Sequence, residues 1–277
     1  MDLTLAHSPD ADDAFMFYAL AAGRVDASPL RIHHLLADIQ ALNEAAREGR
    51  HEVTAVSFHA WADPAVRARY ALLSVGASVG DGYGPVVVAR RPLDPAALRD
   101  APVLVPGTLT TAFLALRLFD PAIPTRVVPF DRIQEEVAAG RAEAGLLIHE
   151  GQLTYGDQRL HAVVDLGAWW AKRTGHALPL GGNAVRRDLG RETAGLVARA
   201  MRASIRYALD HRDEALDHAL RHGRGLDRVR GDRFVGMYVN DWTLDLGERG
   251  RAAVQRLLDE GHAAGILPDR IETEFWE

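Results

Sequence analysis

The boundary between two structural units of this chain is the segment Gly76-Ala-Ser-Val-Gly-Asp-Gly-Tyr-Gly-Pro-Val-Val-Val-Ala89. Its first part is punctuated by glycine, which is typical of a loop, and its end is a short run of valines, which favours a strand. A new alternation of strands and helices begins soon after this run. We therefore predict that the chain crosses here from one lobe of an α/β protein to another.

The segment before this crossover has the pattern of an alternating α/β unit. Helical stretches with apolar residues on one face follow short runs that read as strands. Asp38 stands where it can cap the second of these helices, and Gly49 stands where it can end it. The predicted strands cover residues 3–7, 30–34, 53–57 and 70–75, and the predicted helices cover about 12–22 and 38–49.

A second unit of the same kind begins at Pro102, and the chain crosses back near residues 178–183. Its predicted strands cover 103–105, 126–129 and 145–148, its helices cover 110–119 and 132–139, and an amphipathic helix follows later over 197–209. Two crossings predict an α/β fold of two lobes with a hinged cleft between them. We expect lobe I to comprise residues 1–88 and 182–277, and lobe II to comprise residues 89–181.

The composition excludes several classes of function. The chain of 277 residues has a formal net charge of -6, which argues against a broad basic surface for nucleic acid. It contains no cysteine, which excludes thiolate nucleophiles and cysteine-ligated metal centres. Lys172 is the only lysine, and no glycine-rich phosphate loop precedes it. Neither a Schiff-base enzyme nor a phosphate-loop enzyme is therefore indicated.

The sequence also indicates where the protein resides. Its first residues, Met-Asp-Leu-Thr-Leu-Ala-His-Ser-Pro9, have neither the basic start nor the long apolar stretch of an export signal. No apolar run approaches the roughly 20 residues that a membrane helix needs. We therefore expect a cytoplasmic protein that does not associate with a membrane.

His149 is the leading candidate for chemistry, because it directly follows the predicted buried strand at 145–148. In parallel α/β proteins, ligands and catalytic groups collect at the carboxyl ends of strands. An imidazole that emerges there into a cleft is expected to have a nearly neutral pKa, which suits a general base. The alternative is a histidine that only hydrogen-bonds the end of its strand, and position alone does not separate the two.

Ser57 ends a strand of the first lobe as His149 ends a strand of the second, so closure of the lobes would bring both to one ligand. No Gly-x-Ser-x-Gly motif surrounds Ser57, which favours a hydrogen-bonding role over a nucleophilic one. The alternative is a hydroxyl that caps its own backbone.

Thr110 and Thr111 precede the apolar helix predicted to end at Phe119. Threonine hydroxyls and free backbone N–H groups converge at such a helix start, which binds carboxylate or phosphate well. The alternative is an ordinary threonine cap of the helix. We therefore predict a small anionic molecule as the ligand.

Several of these segments, taken in order along the chain, resemble one enzyme family. They are Ser8-Pro9 through Asp13-Ala-Phe15, Val56-Ser57-Phe58 with Ala60, Gly84-Pro-Val-Val-Val-Ala89, Pro106-Gly107 with Thr110-Thr111-Ala112, Ile148-His149-Glu150, Asp165-Leu-Gly-Ala-Trp-Trp170, and Leu178-Pro-Leu-Gly181 with Arg186-Arg187-Asp188-Leu-Gly190. These strings are similar to those of the 1,4-dihydroxy-6-naphthoate synthases, lyases of the futalosine route to menaquinone.

The resemblance implies a fold like that of the type II periplasmic binding proteins, with the active site between two lobes. It implies conversion of cyclic dehypoxanthinyl futalosine to 1,4-dihydroxy-6-naphthoate, with release of a three-carbon dihydroxyacetone fragment. His149 would be the base that begins cleavage of the carbon skeleton. The groups that hold the substrate would be Ser57, Asn43 and the pair Thr110 and Thr111. No metal and no organic cofactor is implied.

The chain departs from the family pattern in the first loop, where Asp12-Asp13 replaces the more usual Asn-Asp. An extra carboxylate beside an anionic ligand is unfavourable unless it faces away or finds a donor. We therefore leave Asp12 out of the predicted site and expect Asp13 to be a helix cap and a weaker site candidate.

Two other functions fit the same fold. Chorismate dehydratase, a sister enzyme of the same route, eliminates water from chorismate; the Leu-Pro-Leu-Gly and Ile-His-Glu strings favour the synthase, but a fold does not settle the substrate. A solute-binding protein would use the same lobes to capture a ligand without chemistry. The placement of His149 and the start of the chain argue against that function.

Overall fold

The computed structural model describes residues 1–223 and 225–277. Its strands form two β-sheets on which the helices pack. The strands are β1 Asp2–His7, β2 Arg31–Leu36, β3 Val53–Ser57, β4 Tyr70–Leu73, β5 Ser78–Gly80, β6 Val86–Ala89, β7 Val103–Val105, β8 Thr125–Val127, β9 Ala144–Leu147, β10 His161–Asp165, β11 Leu178–Arg186 and β12 Phe275–Trp276.

Helices occupy most of the connections and the carboxyl-terminal part of the chain. The α-helices are α1 Ala11–Met16, α2 Tyr18–Ala21, α3 Ile39–Glu48, α4 Phe58–Trp61, α5 Pro64–Arg67, α6 Thr111–Phe119, α7 Phe130–Ala138, α8 Gly151–Thr154, α9 Leu166–Thr174, α10 Gly190–Asp210, α11 Arg212–Ala219, α12 Arg228–Tyr238, α13 Asp241–Leu244 and α14 Gly247–Ala263. Short 3-10 helices cover Pro95–Arg99, Tyr155–Gln158 and Arg187–Leu189.

The first sheet has the order β12-β4-β11-β3-β1-β2, with β5 paired to β11. Strand β1 pairs in parallel with β2 and β3, whereas β11 runs antiparallel to β3 and β4. The second sheet has the order β10-β6-β9-β7-β8, with β7 parallel to β8 and β9. Strand β6 runs antiparallel to both of its neighbours.

The chain passes from the first sheet to the second between β5 and β6, and it returns between β10 and β11. The first passage lies within the segment 76–89 where the sequence predicted a crossover, whereas the return runs through residues 166–177, before the predicted segment at 178–183. After the first passage, β6 pairs with strands of the second sheet. After the return, β11 pairs with strands of the first sheet. The lobe boundaries at residues 88 and 182 stay a prediction.

Local sequence signals place several elements as predicted. The carboxylate of Asp38 accepts hydrogen bonds from the backbone N–H groups of Gln40 and Ala41, and Gly49 ends α3 with a left-handed φ of 72°. A side chain at Gly49 would be strained in this conformation, so glycine is the suitable residue there. The buried strand predicted at 53–57 is β3, with its bounds unchanged.

Other predictions needed correction. The helix predicted over 12–22 is broken at Phe17 into α1 and α2. The segment at 178–183 belongs to the nine-residue strand β11, although its proline and glycines argue against a strand. Pro179 is tolerated because the ladder with β5 is irregular between Pro179 and Gly181. Strand β10 and helix α9 had no sequence prediction.

The core continues across both sheets. The largest apolar cluster includes Val56 and Tyr70 of the first sheet together with Val87 and Leu146 of the second. Trp170 is fully buried, and its indole N–H donates to the carbonyl of Ala177 at 3.2 Å. Within the described residues, none of the helices combines the length and the apolar character needed to cross a membrane.

Candidate active site

A cleft lies where the two sheets meet. One wall comes from the loop after β1 and from the facing residues of β3 and β11, and the other comes from the start of α6 and the end of β9. His149, Ser57, Thr110 and Thr111 all line this cleft. The structure thus brings together residues that the sequence placed on separate strands and loops.

The backbone at His149 makes a sharp turn from strand β9 into helix α8. His149 has a φ of 53°, in the left-handed region that residues with a side chain rarely adopt. Such a conformation costs on the order of 1–3 kcal/mol and persists where the surrounding structure enforces it, often at functional sites. Here it directs the imidazole toward the cleft and toward the loop that follows β1.

Asp10, in the loop after β1, is the partner of His149. The imidazole Nδ1 lies 2.8 Å from Oδ2 of Asp10, whose side chain is fully buried. The same carboxylate oxygen accepts a hydrogen bond from the hydroxyl of Ser8. The other ring nitrogen of His149, Nε2, is buried and has no hydrogen-bond partner among the described residues. Asp10 therefore fixes the ring and leaves Nε2 available to a ligand.

The pKa of His149 differs from the nearly neutral value that its position in the sequence predicts. Burial lowers the pKa of His149, but the carboxylates of Asp10, Glu150 and Asp12 outweigh burial and raise the pKa to about 9. This rise in the pKa was not predicted, because Asp10 and Asp12 come from a distant part of the chain. Below this pKa Nε2 carries a proton and is a donor, whereas above it Nε2 is an acceptor and a base.

Asp12 and Asp13 lie in the first turn of α1 and both line the cleft. Burial, together with the negative charge of Asp10, raises the pKa of Asp12 to about 7. Burial and the neighbouring Asp12 also raise the pKa of Asp13 well above its usual value. Asp12, which was not predicted as a site residue, therefore lies beside Asp10 and His149. Protonation of Asp12 removes one negative charge from the cleft.

Asp13 does not act as the predicted helix cap. The capping position of α1 is occupied by Asp10, and Asp13 lies within the helix. Its carboxylate instead accepts a hydrogen bond from the backbone N–H of Ser8 at 2.7 Å. Asp13 thereby holds the loop that carries both Ser8 and Asp10.

The same corner contains a group of possible metal ligands. Ligand atoms of Asp10, Asp12 and His149 lie within 4.8 Å of one another. Carboxylate and imidazole suit several divalent ions. The Nδ1 atom of His149 is already held by Asp10, so an ion at this corner would need Nε2 or would break that contact. The expectation that no metal takes part stays a prediction.

Ser57, which also lines the cleft, is held by Asn43. The amide of Asn43 donates from Nδ2 to the Ser57 hydroxyl oxygen at 3.0 Å, and its Oδ1 accepts from the Ser57 backbone N–H at 2.9 Å. Because the Ser57 oxygen accepts from Asn43, its own O–H is directed elsewhere and can donate to a ligand. Asn43 is completely buried and does not line the cleft, so it positions Ser57.

The two threonines at the start of α6 have different surroundings. The Thr110 hydroxyl caps the helix: it accepts from the backbone N–H of Phe113 at 3.2 Å and donates to the carbonyl of Gly107 at 2.9 Å. The Thr111 hydroxyl accepts from the backbone N–H of His59 at 3.2 Å, which leaves its proton for a ligand. The ordinary-cap alternative thus describes Thr110, and Thr111 is the better ligand donor.

Further polar residues line the cleft without having been predicted from the sequence, among them Asp10 and Asn183. Asp10 follows the carboxyl end of β1, so the strand-end argument applied to His149 could have found it. Asn183 lies within β11, in a segment that was taken for a crossover, and no local signal marks it.

The fold and cleft define the class of the protein. Two α/β sheets with a ligand cleft between them characterise the periplasmic binding proteins. The alkanesulfonate-binding protein of Xanthomonas axonopodis, solved with MOPS bound, has a TM-score of 0.71 at 14% identity, covering 98% of this chain and 95% of that one. A ligand-binding component of an import system from Staphylococcus aureus has a TM-score of 0.72 at 10% identity, covering 100% and 96%. The predicted two-lobed, type II periplasmic-binding-protein-like fold is confirmed.

Relatives of higher identity define the family. The profile described as menaquinone biosynthesis matches residues 3–263. The 1,4-dihydroxy-6-naphthoate synthase of Thermus thermophilus is 46% identical over 264 residues, 95% of each chain, and that of Streptomyces coelicolor is 38% identical over 272 residues, 96% of this chain and 95% of the relative. A crystal structure of an Archaeoglobus fulgidus protein is 47% identical, with a TM-score of 0.91 over 96% of this chain and 98% of that one. The chain belongs to the menaquinone biosynthesis family, and its resemblance to the 1,4-dihydroxy-6-naphthoate synthases is confirmed.

Proposed function

We propose that this protein is a lyase that cleaves cyclic dehypoxanthinyl futalosine to 1,4-dihydroxy-6-naphthoate and dihydroxyacetone, with His149 as the general base. The observation that carries the proposal is the orientation of His149. Asp10 binds Nδ1 at 2.8 Å, and Nε2 is buried at the cleft without a partner among the described residues. A histidine oriented in this way is built to exchange a proton with a bound molecule, which a purely binding cleft does not require.

The substrate's carboxylate is proposed to bind at the other end of the cleft. Ser57 and Thr111 each have a hydroxyl whose oxygen is engaged by the protein and whose proton can be donated. The first backbone N–H groups of α6 have no intrahelical partner and carry the positive end of the helix dipole. These groups bind a carboxylate without placing a cationic side chain beside it.

The proposed chemistry begins when Nε2 of His149 removes a proton from the bound substrate. The carboxylate of Asp10 stabilises the imidazolium that forms, and the proton is available for return to a leaving oxygen. Hydroxyl and N–H donors fixed in a largely buried cleft stabilise negative charge that develops on oxygen. Because the pKa of His149 is raised to about 9, the base is strong but is mostly protonated at neutral pH.

The proposal has four further parts that follow from the sequence. We expect a small anionic substrate as the ligand, no metal or organic cofactor in the reaction, and a cytoplasmic location. No nucleic-acid or membrane partner is expected. Each of these stays a prediction.

The proposal is tested by incubating the purified protein with cyclic dehypoxanthinyl futalosine and, in parallel, with chorismate. We expect 1,4-dihydroxy-6-naphthoate and dihydroxyacetone to form in equal amounts, as measured by liquid chromatography with mass spectrometry, and chorismate to remain. Turnover of chorismate alone would assign the protein to the dehydratase reaction instead. Tight binding of the first compound with no turnover of either would favour a solute-binding protein.

A further inference from the structure

We infer that Asn183 determines the specificity of the cleft by accepting a hydrogen bond from a hydroxyl group of the ligand. The inference rests on the proposed function for the identity of that ligand, a hydroxylated aromatic carboxylate. It extends the proposed function because it assigns recognition of the substrate to a residue of β11, far along the chain from His149 and from the start of α6.

The first observation is an unpaired acceptor. Asn183 is 2% exposed and lines the cleft. Its Nδ2 donates to the carbonyl of Gly76 at 2.8 Å, whereas its Oδ1 is buried and has no partner among the described residues. A buried oxygen without a partner costs about 1–3 kcal/mol, so a ligand hydroxyl that satisfies it gains affinity.

The backbone around Gly76 fixes which end of the amide faces the cleft. A Cβ atom at position 76 would lie 2.5 Å from Nδ2 of Asn183, so only glycine allows this close approach. Because Nδ2 is held against the Gly76 carbonyl, Oδ1 is the end presented to the ligand. Gly76 also has a left-handed φ of 77°, which favours glycine independently.

The register of the first sheet places Asn183 on the same face as Ser57. In the antiparallel pair of β11 and β3, Gly181 lies opposite Ser57, and Asn183 lies opposite Ala55. Ser57 and Asn183 are therefore diagonal neighbours, separated by roughly 7–8 Å along the sheet. All four residues line the cleft. Because Ala55 and Gly181 have small side chains or none, they leave space for a ligand between the two polar side chains. We call these four residues the floor of the cleft.

The two ends of this floor have opposite chemistry. Ser57 can donate a hydrogen bond to a carboxylate, whereas the carbonyl oxygen of Asn183 only accepts and would repel a carboxylate. A planar ligand with a carboxylate at one end and a hydroxyl at the other fits this arrangement. The proposed product, a naphthalene with one carboxylate and two hydroxyl groups, has that chemistry.

The inference is tested by calorimetric titration of the wild-type protein with 1,4-dihydroxy-6-naphthoate under anaerobic conditions and with 2-naphthoate, which lacks the hydroxyls. We expect the wild type to bind the dihydroxy compound about tenfold more tightly, the effect of one well-placed hydrogen bond. In Asn183→Ala this ratio should fall to within about twofold, while the affinity for 2-naphthoate stays near the wild-type value.

Ser74→Ala is the matched control. Ser74 also has a buried side-chain oxygen without a partner among the described residues, but it does not line the cleft. The control should keep the tenfold ratio. If Asn183→Ala does not fold in a thermal melt, Asn183→Ser is titrated in its place.

The inference is overturned if the Asn183 variant keeps the wild-type ratio, or if the wild type binds both compounds equally or binds neither. Failure of the proposed function has a different signature. In that case the wild type does not convert cyclic dehypoxanthinyl futalosine, although the variant still loses its preference for the hydroxylated compound.

Discussion

The cleft is lined by two groups of polar residues that differ in charge. At one end, His149 is surrounded by the carboxylates of Asp10, Asp12 and Glu150, and its own backbone is held in a left-handed conformation. At the other end, Ser57 and Thr111 offer neutral hydroxyl groups beside the start of α6. The first end is charged and titratable, and the second is neutral over the whole physiological pH range.

Under the proposed function, this difference assigns substrate binding to Ser57 and Thr111 and proton transfer to His149. A carboxylate held by hydroxyl and N–H donors is bound equally well before and after a proton moves. A histidine paired with a buried carboxylate changes its charge when a proton arrives, and Asp10 is placed to stabilise that change. Variants at the histidine end should therefore alter kcat and its pH dependence, and variants at the hydroxyl end should alter KM.

Replacing His149 should give the largest effect. His149→Asn removes the proposed base, and asparagine tolerates the left-handed backbone better than most residues. We expect kcat to fall on the order of 10⁴-fold, with KM little changed, because general base catalysis contributes up to this much. Steady-state kinetics with cyclic dehypoxanthinyl futalosine provide the measurement.

Arg159→Asn is the control for this variant. Among the described residues other than glycine, Arg159 and His149 are the two with a positive φ. The φ of Arg159 is 57°, and the residue is exposed. It lies outside the cleft lining, so its replacement should leave kcat unchanged. A kcat in His149→Asn within threefold of wild type would remove the histidine from the mechanism.

Replacing Asp10 should give the next largest effect. Asp10→Asn removes a carboxylate that raises the pKa of His149 to about 9. We expect kcat to fall roughly 10²-fold, because the imidazolium loses its counter-charge. In the wild type, kcat/KM should rise with pH until about 9, where the free base form becomes dominant, and in the variant this rise should end at a lower pH.

The pH profile distinguishes this role from a structural one. Asp120→Asn is the control, since Asp120 is also a buried carboxylate and is paired with Arg99 at 2.6 Å away from the cleft. It should change stability and leave the pH profile in place. An unshifted profile in Asp10→Asn would break the proposed link between Asp10 and His149.

Replacing Ser57 should give a smaller effect, on binding. Ser57→Ala removes one donor from the carboxylate end, so we expect KM to rise roughly tenfold while kcat stays within about threefold. Ser204→Ala is the control, because Ser204 has a buried hydroxyl that donates to the Met16 carbonyl at 2.9 Å away from the cleft. If Ser57→Ala lowered kcat and left KM unchanged, the division between the two ends would not hold.

Replacing Asp12 should give the smallest effect, on stability. The folded-state pKa of Asp12 is raised to about 7, so its protonated form is favoured by folding. The stabilisation is fully present below the unfolded pKa of about 3.8 and is lost as pH rises through about 7. Asp12→Asn should therefore melt at a higher temperature than wild type at pH 8, by roughly 4 °C, and at nearly the same temperature at pH 4.

The control for Asp12→Asn is Asp81→Asn, at an exposed loop position. It should have no pH-dependent effect on the melting temperature, as measured by scanning calorimetry. Equal shifts at pH 4 and pH 8 in the Asp12 variant would show that its carboxylate is not destabilising in the ionised form.

Much of the fold follows from short-range signals in the sequence. Asp38 and Gly49 bound α3 because capping depends only on neighbouring residues, and β3 is recognisable from its own branched, apolar composition. The same signals fail where neighbours in space overrule them. Strand β11 contains a proline and two adjacent glycines, yet it is held between β3 and β4 by ladders on both sides.

The candidate site divides in the same way. Local periodicity in the sequence is enough to predict that His149 and Ser57 follow or end strands and that Thr110 and Thr111 start a helix. The folded chain is needed to show that Asp10 contacts His149, that Asn43 holds Ser57, and that Asn183 lines the cleft with an acceptor that has no partner among the described residues. These pairings and the raised pKa of His149 depend on contacts between distant segments and on the exclusion of water. No single segment of the sequence therefore predicts them.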